Sequence, residues 1–416
     1  MKKFALAAAA LSMLGLSVMP ALSAEGTLKL AYVDPLSGGG ASIGQLGLNQ
    51  LRFIAERINA KGGVDGQKLE IVPFDNQVNP QTSLVQVQKA IDQGIRIIVQ
   101  GNGSSVAVAI EDFLRKYNRR NPDHNVVQLN YAAIDPVLTN EKCSYWHFAW
   151  DAAVNIKLEA LTNYLKAQKD VKKVYLIDQD YSFGHSVAET TVKMLKEKRP
   201  DVEIVGNEFH PLVKVTDFSP YVAKIKASGA DTVVTGNWGQ DLALLIKAAG
   251  DAGLKVKWYT FYAGGAGGPT AVKQASLSGQ VFQITEGINN IDYAPAKDVI
   301  KAYIKAYPKE PVYFPRIFNM TGMLFKAIKE AKSSDPAKFA PKLEGMKYKT
   351  FSSGEEGFMR ADDHQFFQPL YISTLQPVDT KAEFDEENTG WGWKEVAQVP
   401  VKDTITETTC KMKRPK

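Results

Sequence analysis

Cysteine is almost absent from this chain: Cys143 and Cys410 are its only two in 416 residues. Paired-cysteine zinc motifs are therefore excluded. No Cys precedes Cys143, so no lipid can be attached at a cysteine near the N-terminus. The five histidines, His124, His147, His185, His210 and His364, show no H-x-x-x-H or comparable spacing, and no metal site is indicated. A strong charge of one sign is missing too. The formal net charge is +5, with 50 Lys and Arg against 45 Asp and Glu. No basic cluster interleaves with aromatics, so nothing suggests a nucleic-acid surface. No long uncharged run follows residue 18, which argues against a membrane span. Short repeats and low-complexity segments are also lacking.

What is present begins with Met1, Lys2 and Lys3, an apolar stretch over 4–18, Pro20, and small residues around Ser23 and Ala24. That is the layout of a secretory signal peptide cleaved after Ala24. The alternative, a membrane anchor, would need a longer and less Ala-rich core. The expectation is a soluble protein exported to the periplasm of a Gram-negative bacterium. In that oxidising compartment Cys143 and Cys410 favour a disulfide stapling the tail to mid-chain; two free thiols are the alternative. The 416 residues, less a 24-residue leader, are too many for one ordinary core and suit two lobes.

After residue 25 one unit recurs: an apolar strand, a short loop of Gly, Ser, Asn, Asp or aromatics, then an amphipathic helix. LKLAYVDPLSGG, KLEIVPFDNQ, IRIIVQGNGSS and NVVQLNYAA show it early; KKVYLIDQDYSFG, DTVVTGNWGQ and VKWYTFYAGG show it later. Such alternation builds α/β lobes with parallel sheets flanked by helices. Ligands then bind at the carboxyl ends of the strands, where these loops lie. Strands are expected near 27–33, 68–74, 95–100 and 125–130, then near 173–178, 203–210, 232–235 and 257–261. The run YWHFAW over 145–150 reads as the crossing into the second lobe, and 281–285 as the return. Helices near 296–306, 316–331 and 336–343 would complete the first lobe. Strands near 357–360 and 370–376 would rejoin the second. The expected division is 25–146 with 284–346 for lobe one, 147–283 with 347–378 for lobe two, and 379–416 as a polar extension anchored by Trp391 and Trp393.

The order of these stretches carries a resemblance. A first strand leads to PLSG, then a helix ending in INAKGGVDGQKLEIVPFDNQ. QGIRIIVQGNGSS, DPVLT, VYLIDQDYSFG, HPLVKVTDFSPYVAKIKASGADTVVTGNWG and AGDAGL follow. Over residues 28–376 the chain resembles the type I periplasmic binding proteins of ABC transporters, in the branched-chain amino acid (leucine/isoleucine/valine) group. The resemblance implies two Rossmann-like lobes joined by three crossing strands, with a small ligand trapped between them. It implies delivery to a membrane permease driven by an ATPase on other chains, with no cofactor and a monomeric receptor.

The resemblance also implies site residues. The loop Gly101-Asn102-Gly103-Ser104-Ser105 would hold a ligand carboxylate with Asn102, Ser104, Ser105 and backbone N–H groups. The residues themselves agree, because glycines permit close approach and the serines open a helix whose N-terminus suits an anion. Ser104 as a plain helix cap is the structural alternative. In the next loop Ala133 matches a family alanine that contributes its backbone, while Ile134 replaces a threonine and removes a hydroxyl. The loop over 34–42 should form the near wall. Tyr181 and Trp238 match ligand-contacting aromatics, and Tyr131, Tyr181, Trp238 and Tyr262 together could make an aromatic wall; ordinary core or surface aromatics are the alternative. The family acid that receives an amino group falls at or near Ala263 and is missing. An α-amino acid ligand would need another acid, such as Asp180, Asp241 or Glu286, because a buried unpaired ammonium is costly.

Other chemistries fit less well. The run 101–106 lacks the last glycine of a dinucleotide-binding G-x-G-x-x-G. Gly184-His185-Ser186-Val187-Ala188 approaches a hydrolase nucleophile elbow, but residues 179–183 separate it from the preceding strand. A ligand sensor coupled to a membrane receptor would use the same fold as an importer subunit.

Overall fold

The computed structural model describes residues 26–380 and 382–415; the leader expected at 1–24 lies outside the described residues. The chain starts with strand β1 (Thr27–Asp34), helix α1 (Ala41–Asn59), β2 (Lys68–Asp75), α2 (Pro80–Asp92), β3 (Ile97–Gln100), α3 (Ser104–Arg120), β4 (Val127–Asn130) and β5 (His147–Ala149). These strands form one parallel sheet in the order β2-β1-β3-β4-β5. Every residue of β3 and β4 is buried, as expected of parallel strands covered on both faces. Ile43, Leu46, Leu51 and Ile54 of α1 are buried as one stripe. The chain leaves α1 through Gly62 and Gly63, both at positive φ, which a side chain would strain. Asn79 opens α2 by accepting the Thr82 N–H at 2.9 Å, with Pro80 at the first helical position.

The second lobe follows: α4 (Val154–Leu165), β6 (Lys173–Gln179), α5 (Ser182–Lys198), β7 (Glu203–His210), α6 (Ser219–Ser228), β8 (Thr232–Thr235), α7 (Gly239–Asp251), β9 (Lys257–Thr260), α8 (Gly268–Gln274) and β10 (Val281–Thr285). Helices α9 (Ala294–Ala306), α10 (Pro315–Ala331) and α11 (Pro336–Leu343) return to the first lobe, where α9 and α10 pack on α1. Then come β11 (Lys347–Lys349), β12 (Glu356–Met359), β13 (Phe366–Phe367), β14 (Leu370–Pro377) and β15 (Trp391–Val399). The second sheet has the order β15-β14-β10-β9-β8-β6-β7, with β14 and β15 antiparallel to their neighbours. The chain thus passes between the lobes after β5, after β10 and before β14. One continuous cluster of buried apolar side chains runs from Leu28 to Trp393.

Three expectations need correction. The run 145–150 does not cross into the second lobe as a strand; it supplies β5, whose Phe148 sits opposite Leu129 of β4, so lobe one extends past residue 146. All six residues are buried, which erased the alternation that would have shown their place. The strand near 357–360 does not rejoin the second sheet. It is β12, paired with β11 and β13, and an Ala149–Gln365 bridge ties that small sheet to β5. The extension 379–416 is not merely a polar tail, because β15 pairs along the length of β14 and adds an outer strand to the second sheet. Cys143 and Cys410 are joined in a disulfide across 267 residues of sequence. Thr408 Oγ1 donates to the Thr139 carbonyl at 2.9 Å beside it.

Candidate functional site

The carboxyl ends of both sheets face each other, and a small cavity lies between them. Two hydrogen bonds join the lobes across this cleft. The Ser186 hydroxyl donates to Asp135 Oδ1 across it at 3.2 Å, and the Tyr262 hydroxyl reaches the Ala132 carbonyl at 3.3 Å.

The lobe-one floor rests on Asp34, the last residue of β1. Its carboxylate accepts the N–H groups of Gly101 (3.0 Å) and Asn102 (2.8 Å) and the hydroxyl of Tyr131 (2.8 Å). Tyr32 completes the set, 2.9 Å from the Tyr131 oxygen, and Asn102 Nδ2 donates to that same oxygen at 2.9 Å. Burial pushes Asp34 up to about 7, against the opposing pull of these donors. Gly101 is obligatory here, because a Cβ would sit 2.6 Å from the Tyr131 ring. The chain then turns through Gly103, at φ +89, into α3. Ser104 accepts the Asp135 N–H at 3.3 Å and keeps its own hydroxyl proton for another acceptor. The first N–H groups of α3 lack carbonyl partners within the helix and lie at its positive end. This pole can hold an anion.

The opposite wall is aromatic. Tyr181 precedes α5 and Trp238 precedes α7; the indole Nε1 donates to the Tyr181 hydroxyl at 2.9 Å. Phe183 stands beside Tyr181 with ring centroids 5.8 Å apart. Tyr262 donates to Asp151 Oδ2 at 2.8 Å, and burial together with that carboxylate raises its pKa well above the usual phenol value. Tyr313 and Phe314, just before α10, close the hinge side. Among the described residues no charged side chain lines this cavity.

Asn102, Ser104, Ala133, Tyr181, Trp238 and Tyr262 therefore meet at one cavity. Ser105 and Tyr131 do not. Ser105 is half-buried on α3, and Tyr131 is wholly buried beneath Gly101, where it supports the floor. The Ala133 N–H is already donated to Asn130 Oδ1 at 2.8 Å. Phe183, Tyr313 and Phe314 were missed. The signal for the last two was VYFP at 312–315, an aromatic segment that must stay extended before its proline. Ile134 lines the cavity as an apolar surface.

None of the proposed ammonium partners reaches the cavity. Asp180 pairs with His185 at 2.9 Å on the surface. Asp241 is buried and accepts Gln179 Nε2 and the Val213 N–H, each at 2.8 Å. Glu286 pairs with Arg316. Ala263 is itself buried. Ser186 is not on a nucleophile elbow: it lies inside the first turns of α5, its hydroxyl turned to Asp135. Among the described residues no group of three or more His, Cys, Asp or Glu could hold a metal.

Behind Tyr262 lies a buried charge cluster. Arg316 contacts Asp151 and Glu286, and Lys157 contacts Asp151 at 2.8 Å. Two cations meet two carboxylates where the chain crosses between lobes.

Comparison with known proteins bears on this geometry. A family model described as periplasmic binding protein matches residues 27–382. The Leu/Ile/Val-binding protein homolog 4 of Brucella melitensis biotype 1 is 34% identical over 423 aligned positions, covering 100% of this chain and 99% of the relative. Among solved structures, the closed conformation of a leucine-, isoleucine-, valine-, threonine- and alanine-binding protein from Brucella ovis superposes with a TM-score of 0.80 at 32% identity, covering 94% of this chain and 100% of that one. A solute-binding protein from Rhodopseudomonas palustris BisB5, in complex with 3,4-dihydroxybenzoic acid, shares the fold with a TM-score of 0.76 at 19% identity, covering 90% and 98%.

Proposed function

The chain belongs to the periplasmic binding protein family, and from that premise we propose that it captures a small aromatic or apolar carboxylate between its lobes for delivery to an ABC permease. One observation carries the choice of ligand: the cavity has an anion pole at Ser104 and the start of α3, six aromatic side chains, and no acid among the described residues. A carboxylate finds donors at that pole. An ammonium group would find no counter-charge, and burying it unpaired costs several kcal/mol. The relatives named for leucine, isoleucine and valine favour an aliphatic amino acid; the neighbour holding dihydroxybenzoic acid favours an acid without an amino group. The lining of this cavity sides with the second.

In this reading the ligand lands on lobe one, the hinge closes, and Tyr181, Trp238 and Phe183 cover its apolar body. The receptor works as an exported monomer in the periplasm; no helix among the described residues is long and apolar enough to cross a membrane. Calorimetry with benzoate, phenylalanine and leucine tests the ligand class. Benzoate is expected to bind and leucine not to. Tight leucine binding without aromatic acid binding overturns the reading, and mass spectrometry of the molecule carried by gently purified protein then names the true ligand.

A further inference from the structure

A second, small cavity lies on the hinge side of Tyr262 and Tyr313, which line both compartments. Its character is different. Gln283, Thr285 and Arg316 face it, and so does Trp393 from the C-terminal strand. Gln283 and Trp393 are 4% and 1% exposed, yet Gln283 Oε1 and Trp393 Nε1 have no hydrogen-bond partner in the protein. Sheet register explains why both atoms reach one place. Gln283 of β10 lies opposite Ser373 of β14, and Trp393 of β15 lies opposite Leu375, two residues along the same strand. Opposed residues, and residues two apart, share a face, so Gln283 and Trp393 stand on one face of the second sheet. One presents an acceptor and the other a donor. Arg316 adds no free charge, since Asp151 and Glu286 already flank it.

We propose that this compartment is a second subsite of the ligand cleft. It receives a neutral hydrogen-bonding substituent, a carboxamide or hydroxyl, at the end of the ligand remote from its carboxylate. The inference rests on the aromatic-carboxylate reading above and extends it. A carboxamide has the complementary groups: its N–H₂ would donate to Gln283 Oε1 and its oxygen would accept from Trp393 Nε1. A buried donor or acceptor left unpaired is penalised more than a paired one is rewarded, so the subsite would select for such a group and not merely tolerate it. This gives the C-terminal extension a role in recognition, because β15 alone supplies Trp393.

The test is calorimetry of the full chain with three probes: benzoate, 4-methylbenzoate and 4-carbamoylbenzoate. Two new hydrogen bonds are expected to make the carbamoyl probe bind about tenfold tighter than the methyl probe. In Trp393→Phe, which keeps a ring and removes the N–H, and in Gln283→Leu, that ratio is expected to fall to about one. If benzoate binds but the wild-type ratio is already near one, the compartment holds only solvent and the subsite is overturned while the aromatic-carboxylate reading stands. A preference that survives both substitutions overturns it as well. If no probe binds, the aromatic-carboxylate reading fails first and the subsite falls with it.

Discussion

Tyr181 offers the sharpest test of the cleft, because its two ends do different work. The ring forms part of the aromatic wall beside Phe183, and the hydroxyl accepts the Trp238 indole N–H at 2.9 Å. Replacement by alanine removes the ring face that would cover the ligand. If that face shields roughly 50 Å² of ligand surface, the loss is about 1.3 kcal/mol at 25 cal/mol per Å². The aromatic pairing energy adds about 0.5–1.5 kcal/mol. The sum, about 2–3 kcal/mol, corresponds to roughly 30- to 150-fold weaker binding. Tyr181→Phe keeps the ring and leaves only the indole donor without its partner, so a loss of about 1 kcal/mol, near fivefold, is expected. Calorimetric titration with benzoate measures both, and thermal unfolding checks that each variant is folded. Benzoate affinity that is unchanged in a folded Tyr181→Ala variant would remove this residue from the site, and with it the argument for a lobe-two aromatic wall.

Other consequences follow from buried charge and from the covalent link. Burial raises Asp34 to about 7 and Asp178 to about 8; with folded values above the unfolded ones, the native state binds more protons, so stability should fall as pH rises from about 4 through 8. A melting temperature higher at pH 5 than at pH 8, with a flatter profile in Asp178→Asn, is the expected result. A ligand carboxylate held over the Gly101–Asn102 loop would raise Asp34 further, so affinity should decline as pH climbs above about 7; a pH-independent dissociation constant from 6 to 8.5 would contradict this. Arg316→Leu strands Asp151 and Glu286 with Lys157 alone and should cost about 3–5 kcal/mol in denaturant unfolding; a loss under about 1 kcal/mol would be inconsistent with a buried cluster. Reduction of Cys143–Cys410 opens a loop of 267 residues and should lower stability by no more than about 5 kcal/mol, read as a lower denaturant midpoint with reductant present.

Much of the architecture was legible because parallel strands buried on both faces leave short apolar runs between amphipathic helices. β3 and β8 stood out for that reason. The failures came where that signal fades. The run 145–150 is buried throughout and carries no period, so its sheet could not be told. β15 is the reverse case: its first three residues are buried, while Glu395 and Val396 are exposed, and the charged half hid the strand. At the site, residue type told which loops matter but not which side chains face inward. Tyr131 and Phe314 show this. Both are buried aromatics near the cleft, with centroids 4.9 Å apart. Phe314 lines the cavity and Tyr131 lies beneath the loop, its hydroxyl committed to Asp34. Asp34 itself went unrecognised, since an acid ending a strand reads as part of a solvated loop until the N–H groups it accepts are known.

The same wiring joins the hinge to the wall. Tyr262 follows β9 of the second lobe, yet its hydroxyl is held by Asp151, where the chain leaves β5, and by the Ala132 carbonyl of the first lobe. Asp151 is in turn fixed by Lys157 of α4 and by Arg316 of α10. Arg316 also reaches the carbonyl of Tyr131, under the anion pole. Four buried charges that neutralise one another stabilise little against an apolar alternative, since desolvation offsets most of their attraction. Their directional bonds tie the crossing segments together, and the Tyr262 ring they hold lines both compartments. A lobe rotation that opened the cleft would have to release Tyr262 from the Ala132 carbonyl.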